Sequence, residues 1–126
     1  MDQTLIKVLL PSEFADEVEQ FVAEHPEGVT VERQSQGAEA AADLGFEPIT
    51  AIAVTSFLLK FAAGVASSLA NKLLVDRIWK RLQSSGSDER LTEVQIAFPS
   101  GYLLTVRSEA VMTAEQLRQL IKENIR

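Results

Sequence analysis

From Ile49 to about Leu82 the chain runs without a proline and is dense in Ala, Leu, Val and Ile. This stretch limits the possible folds more than any other. As one straight helix over 48–83 it would span roughly 50 Å at about 1.5 Å per residue. A compact domain of this length has a radius of gyration near ~14 Å, hence a diameter of roughly 35 Å. Such a helix either bends between Gly64 and Ser68, where glycine and paired serines permit a kink, or leaves one end projecting toward a partner.

The segments on either side carry strand and helix patterns. Ile6, Val8 and Leu10 fall on one face of an extended chain, and Leu5, Lys7 and Leu9 fall on the other. Pro11 and Ser12 end that strand, and Ser12 is placed to cap a helix whose apolar stripe is Phe14, Val18, Phe21 and Val22, running to about Glu24. His25-Pro26-Glu27-Gly28 stops the helix, since Pro26 disfavours helical geometry at the residue before it. A second strand follows, with Val29 and Val31 inward and Thr30 and Glu32 outward. The polar stretch 34–46 reads as a mobile loop and 84–90 as a linker. Val94, Ile96 and Phe98, then Tyr102, Leu104 and Val106, alternate with less apolar neighbours, and Pro99-Ser100-Gly101 joins them as a tight hairpin. Thr113 and Gln116 have capping-box spacing, with Met112 placed to staple onto Leu117. Leu117, Leu120, Ile121 and Ile125 form the stripe of a closing helix.

With 126 residues, 46% of them hydrophobic, the chain can bury one core, so a single α+β domain over 1–126 is expected. Two strands precede the long helix and two follow it, and two-stranded sheets are marginal in water. The pairs are therefore expected to join into a four-stranded sheet, in the order β-α-β-α-β-β-α, with the alanine-rich helix held against it.

Composition and spacing also bear on chemistry. A net charge of −6 opposes the phosphate attraction behind general nucleic-acid affinity, so no nucleic-acid partner is expected. There is no cysteine, which removes disulfides, thiolate metal sites and Cys nucleophiles. His25 is the lone histidine, at a helix end, with no second His or Cys to share a metal; a capping or solvent role suits it better than catalysis. Glu13, Asp16 and Glu17 lie in the first helical turns, where the helix dipole favours anions. The glycines Gly37, Gly45, Gly64, Gly86 and Gly101 are too scattered for a phosphate-binding loop or a dinucleotide fingerprint, and Ser100 lacks the strand-to-helix elbow of a hydrolase nucleophile. Neither a cofactor, a bound metal nor an enzymatic activity is expected. The first ten residues lack a positive n-region and a small-residue cleavage site, so the expected location is the cytoplasm.

Two readings compete for the long helix. Residues 48–71 contain a single charge, Lys60, and approach membrane-span length, with Lys72, Arg77, Lys80 and Arg81 on the C-terminal side and Glu39, Asp43 and Glu47 on the other. Lys60 at the centre of a span costs about 3 kcal/mol, and a membrane would part the two strand pairs, so a core helix that reaches a protein partner or a second copy is favoured. The alternative is a membrane-active or membrane-anchored effector inserting through 48–71. Ala62, Ala66 and Ala70 recur every four residues beside Gly64 and Ser68, a row that lets another backbone approach closely; alanine filling a thin core layer explains the same row. Farther along, Ile78, Trp79 and Leu82 are the expected contact surface, rimmed by Arg77, Lys80 and Arg81; a partly buried Trp79 with solvated cations around it explains the same residues.

The strand Leu5 to Leu10, the Ile49 to Leu82 helix, the Val94 to Arg107 hairpin through Pro99-Ser100-Gly101 and the closing Leu117 to Ile125 helix together resemble, in layout, the effector-associated constant component family of bacterial conflict systems. The resemblance implies a non-enzymatic adaptor that couples separate effectors, such as peptidases, to a defence response. It carries no functional residues over.

Overall fold

The computed structural model describes residues 3–36, 46, 54–84, 93–107 and 112–125, the side chains of 35, 36 and 84 excepted. Strand β1 (Thr4–Pro11) passes through a single 3-10 turn, Ser12–Phe14, into helix α1 (Ala15–Glu24), and β2 (Val29–Gln36) follows. Strand β3 (Val54–Phe61) precedes helix α2, a continuous rod made of Ala66–Asn71, a π-helical stretch Lys72–Trp79 and Lys80–Ser84. Strands β4 (Glu93–Ala97) and β5 (Leu103–Arg107) form the hairpin, and α3 (Ala114–Asn124) closes the described chain.

The chain is α+β, and the sheet has five strands where four are expected, in the spatial order β2-β3-β1-β4-β5. Every described pairing is antiparallel. Both strand pairs do join one sheet, because β1 lies between β3 and β4. Strands β1 and β2 run parallel with β3 inserted between them, and β3 and β4 run parallel with β1 inserted. Two interleaved split β-α-β units result, the β-α-β-β-α-β connectivity of ferredoxin-like folds, extended here by β5 and α3. Such connectivity is shared by many unrelated activities and assigns none.

The expected helix over 48–83 is corrected. Residues 48–53 lie outside the described residues, 54–61 form a strand, and the helix occupies 66–84. Val54, Thr55, Phe57 and Phe61 are β-branched or aromatic and suit a pleated surface. Four consecutive residues, Val54 to Phe57, are buried, so the alternation that marks a half-buried strand is blurred there, as it is in any strand covered on both faces. The break sits at 62–65, where Gly64 has φ +88° in open space and Val65 N–H donates to the Ala62 carbonyl at 3.4 Å. Glycine is favoured at that φ, and it reverses the chain instead of kinking a helix.

The three described helices lie on one face. Ile6, Val8 and Leu10 of β1, Phe57, Leu59 and Phe61 of β3, Val94 and Ile96 of β4 and Leu104 and Val106 of β5 meet Val18 and Phe21 of α1, Leu73, Leu74 and Ile78 of α2 and Leu117 and Ile121 of α3 in one core. Helix α2 touches both α1 and α3. At about 100° per residue, three successive α-helical residues sweep roughly 200° and cannot all face one sheet. Leu73, Leu74 and Val75 are nevertheless all buried, and the wider i→i+5 turn of Lys72–Trp79 narrows that sweep.

The remaining local expectations divide. The capping box is present: Thr113 Oγ1 accepts from Gln116 N–H at 3.1 Å, and Gln116 Oε1 accepts from Thr113 N–H at 3.0 Å. The hairpin turn is present, with Gly101 at φ +91°. Ser12 caps no helix; its Oγ lies 2.8 Å from Thr55 Oγ1 across the β1/β3 boundary. Of the expected loop over 34–46, Gln34 to Gln36 belong to β2, Phe46 is buried, and 37–45 lie outside the described residues, as do 85–90 of the expected linker. Among the described residues no helix is long and apolar enough to cross a membrane.

Candidate interaction surface

Helix α2 does not present its apolar row outward. Ile78 and Leu82 are 2% and 0% exposed, and Trp79 is half-buried against the core. With Leu74, Val94, Ile96, Val106 and Leu117 they surround a void of about 10 Å³, too small for a ligand. The Trp79 indole N–H is buried without a hydrogen-bond partner.

Two of the three residues of the expected basic rim, Arg77 and Arg81, are spent within the molecule. Arg77 pairs with Glu24 and lies over the Phe21 ring, 5.4 Å from its centroid. Arg81 reaches Asp16 at 3.0 Å and Glu17 at 3.4 Å and lies 4.7 Å over the Phe14 ring. The Arg81 side chain, hydrogen-bonded to Asp16, holds that carboxyl below its ordinary range. These arginines therefore clamp α1 to α2 through charge and ring contacts together. Lys80 is exposed.

The row of small residues is divided between two elements. Ala62 and Gly64 lie in the turn after β3, whereas Ala66 and Ala70, 7% and 0% exposed, lie in α2 and pack into the core. Only the latter two share a helical face. A Cβ added at Gly28 would meet Leu69 Cδ1 at 2.4 Å, so α2 approaches the start of β2 closely at that end.

His25 follows α1. Its Nδ1 lies 3.0 Å from the Phe21 carbonyl, and its ring stacks on Phe21 at 4.3 Å. An open groove of about 670 Å³ beside it is lined by Glu24, Glu27, Ser68 and Lys72 among others. Among the described residues no group of three or more His, Asp or Glu is placed to hold a metal ion.

The face of the sheet opposite the described helices is the surface that the sequence did not single out. Pairing of Ile6 with Leu59 puts Leu5, Lys7 and Leu9 of β1 on that face together with Val54, Ser56, Leu58 and Lys60 of β3. Glu93, Gln95 and Ala97 of β4 and Leu103, Thr105 and Arg107 of β5 continue it. One end is closed: Phe46 packs with Leu9 and Val54, and Ala97 and Leu103 pack beside them. Toward the edge, Gln95 donates to Glu93 at 2.9 Å and Glu93 accepts from Arg107 at 3.0 Å.

The other end is open. Leu5 is 46% exposed, the most exposed large apolar side chain among the described residues, and Leu58 is half-buried. Leu5 lies opposite Lys60 and Lys7 opposite Leu58, so two leucines and two lysines alternate as a checkerboard. Lys60 Nζ lies 3.7 Å from Glu32. A groove of about 560 Å³ runs from this checkerboard to Ala97, Phe98, Pro99 and Ile125. The available signal was the alternation Phe57, Leu59, Phe61 against Leu58, Lys60, which marks a strand with one polar-edged face.

Compared with protein-family models, with curated proteins and with solved structures, the chain matches none.

Proposed function

We propose that this chain is a non-enzymatic interaction module that engages a protein partner through the open end of the sheet face opposite the described helices. The observation that carries the reading is the half-exposed Leu5 beside Leu58 at the mouth of a groove of about 560 Å³. Exposed aliphatic surface in a concavity gains free energy when covered, at about 25 cal/mol per Å². Of the α2 residues expected in this role, Ile78, Trp79 and Leu82 pack in or against the core and Arg77 and Arg81 clamp α1, which leaves only Lys80 exposed, so the contact moves from helix to sheet. Strand residues on the face opposite the described helices include no aromatic among those described. Base stacking on a sheet needs such rings, and the net charge of −6 argues in the same direction. An adaptor role in an effector or defence system, implied by the layout resemblance, is compatible with this surface and forms part of the proposal.

Photo-crosslinking in the native cell tests it. A photoreactive residue at Leu5 is expected to trap one partner, with purified wild-type protein competing and Leu58→Asp failing to compete. Crosslinks that arise only from a probe at Lys80, on the helix side, would overturn the assignment, as would none at either position. A solution mass of twice the monomer that is lost in Leu58→Asp would replace the separate partner by a second copy.

A further inference from the structure

We infer that the groove at Leu5 and Lys7 accepts an extended segment of a partner protein carrying an apolar side chain and, two residues on, a carboxylate. This rests on the interaction reading above and names its ligand. Lys7 is the one charged residue lining the groove among those described, and it makes no ion pair there, whereas Lys60 faces Glu32. The ammonium of a half-buried lysine beside leucines is matched by a carboxylate, whose charge-assisted contact strengthens as water is excluded. Leu5, Leu58, Ala97 and Ile125 supply apolar lining around it.

The spacing follows from the strand. Leu5 and Lys7 are two residues apart on one face, roughly 6.6 Å at about 3.3 Å per residue. An extended peptide repeats its own side chains at the same pitch, so an apolar-x-acidic segment laid along β1 meets both positions at once. A membrane surface is a poorer match: one unpaired lysine in a chain of net charge −6 offers little attraction to anionic lipid.

Fluorescence anisotropy with labelled eight-residue peptides tests the inference. The probes repeat Leu-Ser-Glu-Ser, Leu-Ser-Gln-Ser or Leu-Ser-Lys-Ser. The acidic probe is expected to bind about tenfold more tightly than the lysine probe, the scale of one charge-assisted contact. Lys7→Gln should abolish that preference and Lys7→Glu reverse it. Lys80→Glu, on the opposite side of the molecule, should leave it unchanged and reports any effect of net charge alone. An unchanged preference in Lys7→Glu, or no binding of any probe at millimolar concentration, overturns the inference. Lys7-dependent binding of dodecanoate or phosphatidylserine vesicles without peptide binding overturns it in favour of a lipid ligand. If the Leu5 crosslink persists while the peptide preference fails, the interface stands and only its acidic ligand is wrong.

Discussion

Val54–Phe61 and the helix over 66–84 come from one proline-free apolar run, yet one half became a strand at the heart of the sheet and the other the rod that covers it. The strand half contributes to both layers: Phe57, Leu59 and Phe61 meet the helices, while Leu58 and Lys60 look out from the opposite face. The helix half buries Leu73, Leu74, Val75, Ile78 and Leu82 toward the sheet and spends Arg77 and Arg81 on α1. Hydropathy alone does not distinguish these outcomes. Side-chain branching, the two-residue rhythm and one glycine do.

The largest effects should come from truncating each half where it meets the shared core. Leu59→Ala and Leu74→Ala remove side chains that are 0% and 1% exposed, and each is expected to cost about 2–5 kcal/mol by urea unfolding. Leu58→Ala, one residue along and half-buried on the other face, should cost less than half as much. Equal losses at 58 and 59 would dissolve the distinction between the two faces.

The joint between the halves comes next. Gly64→Ala places a side chain at φ +88° with nothing within 4 Å to clash, so only backbone strain is charged, about 1 kcal/mol. Gly64→Asn should recover part of it, since asparagine tolerates that conformation better. An unaffected midpoint in Gly64→Ala would mean that strand and helix are not separated by this turn. At the far end of the fold, Thr113→Ala removes an observed capping box and should cost about 1 kcal/mol by the same measurement.

The smallest effect is electrostatic. Arg81 holds the Asp16 carboxyl below its ordinary value of 3.8. A depressed carboxylate stabilises the fold above the unfolded pKa, and that contribution disappears as pH falls through the folded value. Asp16 is exposed, so the effect should be slight and weakened further by salt. Stability curves of wild type and Asp16→Asn should converge once pH has fallen through the lowered folded value, and Arg81→Ala should erase their difference at higher pH. A gap between the two curves that persists at the lowest pH would point to a contact other than this ion pair.

What could be read in advance follows the range of the interactions. The β4–β5 hairpin, the Thr113 capping box and the end of α1 are fixed by neighbours in sequence, and all three appear where the residues place them. That both strand pairs join one sheet follows from the weakness of two-stranded sheets, and β1 provides the join. Strand β3 escaped because burial on both faces at Val54 to Phe57 hides the period of its first half, leaving the alternation only over Leu58 to Phe61. The fate of Arg77 and Arg81 escaped because their acidic partners lie more than fifty residues away in sequence. The open sheet face was out of reach for the same reason: Leu5 and Leu58 become neighbours only through the β1–β3 register.

That β1 is the middle strand has a consequence for how the chain is made. Its hydrogen-bonding partners are Val54–Phe61 on one side and Gln95–Ala97 on the other. During synthesis at about 5–20 residues per second, the sticky sequence Leu5 to Leu10 leaves the ribosome seconds before either neighbour exists. Non-local pairing of this kind slows folding, and the nascent chain must keep its own first strand from finding another molecule's edge in the meantime.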